Sequence, residues 1–160
     1  MKNLQPEHKL VGLRVYVYFN LHRKCFSVKA LEGEHKGRVV HHTGSVALLD
    51  VTFKVSQKGR ERVLRTKRKN VHAGVSGTFV TTSPCYEPLL RHYWCKGQPV
   101  TYNPYKYKQF VNADTLQPVH TAGAVILNGR TITRYGDYVG LDYTPKYLTR
   151  NAQLTAGDYP

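Results

Sequence analysis

Over most of its first half the chain alternates apolar and polar residues with a period of two. Between Val11 and Phe19, Val15 and Val17 point one way and Tyr16 and Tyr18 the other, which is the signature of a half-buried strand. Cys25 to Leu31 alternates again, with Phe26, Val28 and Ala30 opposing Ser27 and Lys29. The polar stretch Asn20 to Lys24 between them predicts an antiparallel hairpin. Arg38-Val39-Val40-His41-His42 is a third short strand, and Thr43-Gly44 turns the chain. Ser45 to Val55 follows, its last part alternating strictly as Val51, Phe53 and Val55 against Thr52 and Lys54.

At Ser56 the period breaks. Ser56 can cap a helix, whose apolar contacts are Val63 and Leu64 while cations cover the remaining surface. A helix so polar is held by few core contacts, and Gly59 weakens it further, so a short helix with a frayed start is expected. Val71, Ala73 and Val75 then alternate with His72 and Gly74, and the strand runs on to Phe79-Val80. Gly74 and Gly77 within it predict a bulge or a close backbone approach. From Thr81 to Pro104 prolines and aromatic residues replace the alternation. Gly123 to Leu127 and Thr131 to Thr133 flank Asn128-Gly129-Arg130, a strong hairpin signal. Tyr135 to Tyr143 is a last Gly-punctuated, Tyr-rich segment. The expected fold is mainly β (α+β): a small curved sheet or barrel of short antiparallel strands with one short basic helix. The expected organisation is a polar lead-in at 1–10, a single domain at 11–143 with an aromatic, proline-broken insertion at about 81–110, and a loose tail at 144–160.

Charge changes the picture from fold to partner. The 160 residues carry 24 Lys and Arg against 10 Asp and Glu, a formal +14, and residues 1–80 hold 16 of the basic side chains and five of the acidic ones. Lys58, Arg60, Arg62, Arg65, Lys67, Arg68 and Lys69 place seven cations in twelve residues, opposed by Glu61 alone. Clustering of this kind repels itself, and a polyanion supplies the missing counter-charge. Tyr is abundant, 12 against one Trp and five Phe. Tyr102, Tyr105 and Tyr107 sit beside Lys106 and Lys108, a pattern suited to stacking on bases beside phosphate contacts. The candidate nucleic-acid-binding residues are therefore the seven cations together with Tyr105, Lys106, Tyr107 and Lys108. The expected partner is RNA or single-stranded DNA, free or in a host nucleoprotein complex.

Other chemistry is thinly represented. Cys85, His92 and Cys95, with His120 or the pair His41-His42, could supply zinc ligands but lack the close-pair spacing of structural sites. His41-His42-Thr43 reads as half of a two-histidine phosphoesterase motif, and His120-Thr121-Ala122 lacks the hydroxyl residue a second half needs. His72, His41 or His42, and Tyr135 could converge as in a metal-independent ribonuclease. The acidic residues are scattered without the pairing of a two-metal nuclease, and no phosphate-cradling G-x-x-x-x-G-K motif occurs. The expectation is a protein with no catalytic residues, no metal and no cofactor. No window matches a membrane span or a signal-peptide core, and three cysteines do not suit a secreted disulfide framework, so a cytoplasmic setting is expected.

Val55, Gly59-Arg60, Arg62-Val63 and Lys69-Asn70-Val71-His72-Ala73, with Asn103-Pro104-Tyr105 further on, resemble small basic proteins of unassigned function found in bacteriophages and other bacterial mobile elements. The resemblance covers about two-thirds of the chain and brings no catalytic residues with it. It implies a bacterial host cell and the accessory roles of phage genes, among them handling nucleic acid and blocking host defences such as CRISPR nucleases. The leading expectation is thus a non-enzymatic nucleic-acid-binding or nucleoprotein-binding protein, with counter-defence among the roles that the resemblance implies. Its rivals are a small ribonuclease-like phosphodiesterase and a binder of acidic proteins or nucleotides.

Overall fold

The alternating segments pair into one antiparallel sheet. The computed structural model describes residues 4–83 and 97–136, and within them the strands are β1 (Arg14–Asn20), β2 (Cys25–Ala30), β3 (Val39–Thr43), β4 (Ser45–Val55), β5 (Ala73–Thr81), β6 (Gly97–Thr101), β7 (Val111–Asn112), β8 (Thr121–Asn128) and β9 (Thr131–Tyr135). One α-helix, α1 (Gln57–Thr66), connects β4 to β5. The strand order is β3-β2-β1-β5-β4-β8-β9-β6-β7. Both expected hairpins are present: β1 pairs β2 from Val15↔Ala30 to Asn20↔Cys25, and β8 pairs β9 around Asn128↔Thr131, with Gly129 at φ 60° in the turn.

The connection from β3 to β4 dictates the curvature. Only Gly44 separates the two strands in sequence, yet they stand four places apart in the sheet. Two Cα steps reach about 7.6 Å, whereas four strand spacings in a flat sheet span about 19 Å. The β3-β2-β1-β5-β4 part must therefore curl until its ends meet. The core agrees: Val15, Val28, Val40, Leu48, Phe79, Val100 and Leu127, drawn from seven different strands, pack in one buried cluster. The sheet covers its own apolar face by wrapping around it. Its edges are β3 and β7, so of the two expected forms the curved open sheet is the one found.

The longest strand, β4, switches faces midway. Val46 and Leu48 enter the main core, as do Val51 and Phe53, although the two pairs differ in parity. A bulge reconciles them: the pairing with β5 shifts between Leu49 and Thr52, and Asp50 takes φ 50°, a left-handed conformation that Asp tolerates better than most residues. Ala47 and Leu49 are left on the other face, in a second small cluster with Val80 and Ala124. The close approach expected at Gly77 is real, because a β-carbon there would lie 2.9 Å from Leu48 Cβ and 2.9 Å from the Leu49 carbonyl oxygen. β5 begins at Ala73 and β1 at Arg14, so the expected strands are shorter at their starts.

The polar N-terminal residues are tied to the sheet. Gln5 donates its N–H to the Val40 carbonyl (2.6 Å), and Leu10 is buried in the core. The Glu7 carboxylate accepts the Thr81 hydroxyl (2.7 Å), the Thr82 N–H (2.6 Å) and the Thr82 hydroxyl (2.8 Å). Burial alone would raise the Glu7 pKa, but these three donors and the nearby His41 outweigh it and hold the carboxyl below its ordinary value. A folded pKa below the unfolded value, about 4.3 for Glu, means that the carboxylate's contribution is complete above that pH and is lost as pH falls through the depressed folded value. Glu7→Gln should lower stability at neutral pH and flatten the acid limb of the stability profile. Urea unfolding across pH 2–7 measures both, and an unchanged acid limb would refute the assignment.

Candidate functional site

The basic segment is a capped helix followed by an irregular basic loop. Ser56 Oγ accepts the Gly59 N–H (3.2 Å), the cap that the sequence offers, and it holds the start that Gly59 was expected to fray. The helix ends at Thr66 because Lys67 takes φ 61°, from which its N–H reaches back to the Val63 carbonyl (2.8 Å). The Thr66 hydroxyl donates to the Arg62 carbonyl (2.7 Å) and accepts the Arg68 N–H (3.3 Å). Lys67, Arg68 and Lys69, expected on the helix, thus lie beyond it on the way to β5. Lys58, Arg62, Arg65, Lys67, Arg68 and Lys69 are all exposed.

Neighbouring backbone, more than apolar burial, holds this helix. Val63 is its buried residue. Arg60 Nε donates to the carbonyls of Pro104 (3.0 Å) and Tyr107 (2.9 Å), and Gln57 Nε2 donates to that of Lys108 (2.8 Å). Arg60, expected to face a ligand, therefore has its Nε in a latch between the helix and the 103–108 loop. On the opposite side Ser56 N–H donates to the His72 carbonyl (2.7 Å), and Asn70 Nδ2 to that of Gly59 (3.2 Å). Gly59 is what lets the helix approach: a β-carbon there would collide with His72 Cβ. Gly59→Ala should therefore destabilise the protein by about 1–3 kcal/mol, although Ala favours a helix interior by roughly 1 kcal/mol. Thermal unfolding checks the sign; a stabilised variant would show that the contact is soft.

His72 sits at the centre of the attachment. Its Nδ1 faces the Asn70 side-chain oxygen (2.8 Å) and carbonyl (3.2 Å), and its Nε2 faces the Tyr102 hydroxyl (2.6 Å). Two oxygen acceptors assign the proton to Nδ1 and leave Nε2 to accept from Tyr102. Burial raises the Tyr102 pKa, partly countered by the Arg60 charge. Tyr102 meets His72 edge-on at 5.4 Å and Phe110 at 5.3 Å, and Phe110 meets Phe53 of β4 at 5.2 Å. This aromatic chain runs from the loop into the core.

Around the same residues lies a groove of about 360 Å³. Phe19 and Leu21 from the β1–β2 end, Val71 and Lys69 from the basic loop, and Tyr102 and Tyr105 line it. Leu21, Val71 and Tyr105 keep 40%, 48% and 53% of their surfaces exposed, unusual for large apolar side chains sharing one depression. Lys67 Nζ stands 5.5 Å from the Tyr105 ring centroid, within cation–π range. The two segments singled out by sequence, about forty residues apart, are thus brought together. Tyr105, Lys106 and Lys108 are exposed, whereas Tyr107 is half-buried with its carbonyl taken by Arg60. Sequence reasoning missed Leu21 and Val71; the available signal was an isolated large apolar residue within an otherwise polar connection.

The remaining candidates occupy separate places. His41 Nδ1 meets the Gln5 carbonyl (3.0 Å) and His42 Nδ1 the Ser27 hydroxyl (3.0 Å), on the edge strand β3. Burial, Arg23 and His41 lower the His42 pKa. His120 precedes β8, across β2, β1, β5 and β4 from that pair in the sheet order. Tyr135 packs on the second small cluster, and burial pushes its phenol pKa up. Cys85, His92 and Cys95 lie outside the described residues, as do the segment beyond Gly136 and the tail. Among the described residues no group of three or more His, Cys, Asp or Glu is placed to hold a metal ion, and no helix is long and apolar enough to cross a membrane.

Comparison with known proteins gives a context. The family model described as the Mycobacterium phage L5 gene 82 protein matches residues 9–135, which takes in all nine strands and the α-helix of the described residues. A gene 82 protein of Mycobacterium phage L5 is 39% identical over 122 residues, covering 72% of this chain and 90% of that relative. No solved structure matches.

Proposed function

The chain belongs to the phage-carried family of the Mycobacterium phage L5 gene 82 protein, and we propose that it is a non-enzymatic binding protein for single-stranded nucleic acid, free or within a host nucleoprotein complex. The observation that carries this reading is the meeting of Lys67, Lys69 and Tyr105 around one exposed apolar groove. An unstacked base has a flat apolar face that such a groove can accept, and its flanking phosphates need cations at the rim. A volume of about 360 Å³ falls at the lower end of the range for small-ligand sites. His72 beneath the groove has both ring nitrogens engaged by protein partners, which suits a positioning role better than acid–base work. In an infected cell the same surface would serve counter-defence by masking a guide RNA or the nucleic-acid channel of a host nuclease. Such a complex should then be captured from bacterial lysate in a nuclease-sensitive way.

Fluorescence anisotropy with labelled single-stranded RNA and DNA tests the binding. Affinity should fall steeply with salt, and Arg65→Gln, Arg68→Gln and Lys69→Gln together should reduce the slope of log K against log salt by about 2. Salt-insensitive binding, or none, would remove the proposal.

Lys67 offers a second, independent check. A left-handed C-cap favours Gly, so Lys67→Gly should leave the melting temperature unchanged or raised while weakening binding. Loss of both stability and affinity would instead mark Lys67 as structural.

A further inference from the structure

The outer face of the sheet carries a second concavity beside the groove. It is lined by Tyr16 and Tyr18 of β1, Lys29 of β2 and Lys54 of β4, and Val71 and His72 belong to its wall as they do to that of the groove. The period of two explains the set: Val15, Val17, Val28 and Phe53 point into the core, so their neighbours point out. Register brings them together across the strands, with Tyr16 opposite Lys29 on one side and Ser76 on the other, and Lys54 opposite Gly74.

Gly74 sets the posture of the aromatic pair. A β-carbon at residue 74 would lie 2.5 Å from Tyr16 Cζ and 2.5 Å from its hydroxyl oxygen. The Tyr16 ring therefore leans over β5, in the space a side chain would take. The Tyr18 ring lies beside it at 6.1 Å with an angle of only 34° between the planes. Both rings are half-buried, neither being sealed under another layer among the described residues. Two shallowly inclined phenol rings flanked by lysines are a floor on which consecutive bases can stack while their phosphates meet ammonium groups.

We infer that the bound strand continues past the groove, over Val71, onto this Tyr16–Tyr18 floor, so that the protein reads a run of several unpaired nucleotides. The inference rests on the single-strand reading of the groove and extends it to a second platform. A duplex of the same length, with its bases already stacked, is not a ligand for the floor. The expected preference is for flexible single strands with little dependence on sequence.

The test compares single-stranded oligomers of about 4 and about 12 nucleotides and a 12-base-pair duplex, on the full-length chain. The wild type should bind the long single strand at least tenfold more tightly than the short one. Tyr16→Leu with Tyr18→Leu should weaken the long strand at least tenfold, leave the short strand and the duplex unchanged, and keep the salt slope. Should that pair fail to fold, Lys29→Gln with Lys54→Gln should reduce the salt slope for the long strand by about 1.4, from roughly 0.7 per phosphate contact, and leave the short strand unchanged. Unaltered long-strand binding by either folded pair overturns the platform while the groove stands. If the wild type binds none of the three ligands, the groove reading fails and the platform falls with it.

Discussion

Gly44 is the constraint on which the rest of the structure depends. Strands β3 and β4 are consecutive in sequence yet four positions apart in the sheet, and a one-residue link can join them only if the sheet rolls up. The roll gives one cluster of side chains from seven strands and removes any need for a covering helical layer. The bulge at Asp50 complements it, since bulges increase local twist, and this one keeps Phe53 on the core side after the parity of β4 changes.

A rolled sheet leaves α1 free of any role in covering the core. The helix is therefore allowed to be polar on most of its surface, and it is secured by a few specific contacts instead. Gly59 lets its backbone come against His72, Arg60 and Gln57 grip carbonyls of the 103–108 loop, and Val63 inserts the one buried side chain. His72, Tyr102, Phe110 and Phe53 carry that attachment inward as ring-to-ring contacts. Lys67 and Lys69 then stand beside an apolar depression that these contacts back. The same economy extends to the outer sheet face, where Gly74 makes room for Tyr16 much as Gly59 makes room for His72.

Strands β1–β5, β8 and β9, the two hairpins, the Ser56 cap and the close approach at Gly77 were legible in the sequence, because each depends on local periodicity or on one residue's conformational preference; β6 and β7, in and beside the proline-broken stretch where no alternation shows, were not. The charge cluster and the Tyr–Lys run were legible as two separate signals for the same reason, and so was the resemblance to a phage-borne family. Nothing local in the chain says that the helix stops at Thr66, since that depends on Lys67 adopting a left-handed turn, a conformation more expected of Gly or Asn. Nor does the sequence distinguish Arg60, which latches the helix to the 103–108 loop, from Arg62 or Arg65, which stay exposed. Gly59 read as a weak point and is a contact.

By itself, then, the sequence determined what each segment would be: a β-rich, strongly basic chain with one short helix and an aromatic, lysine-bearing loop. Tertiary structure alone decided how those pieces meet. Strand order, the roll imposed through Gly44, and the joining of Leu21, Val71, Tyr105 and Lys67 around one groove are long-range relations. They follow from which apolar faces can be buried together, a property of the whole chain that no local window contains.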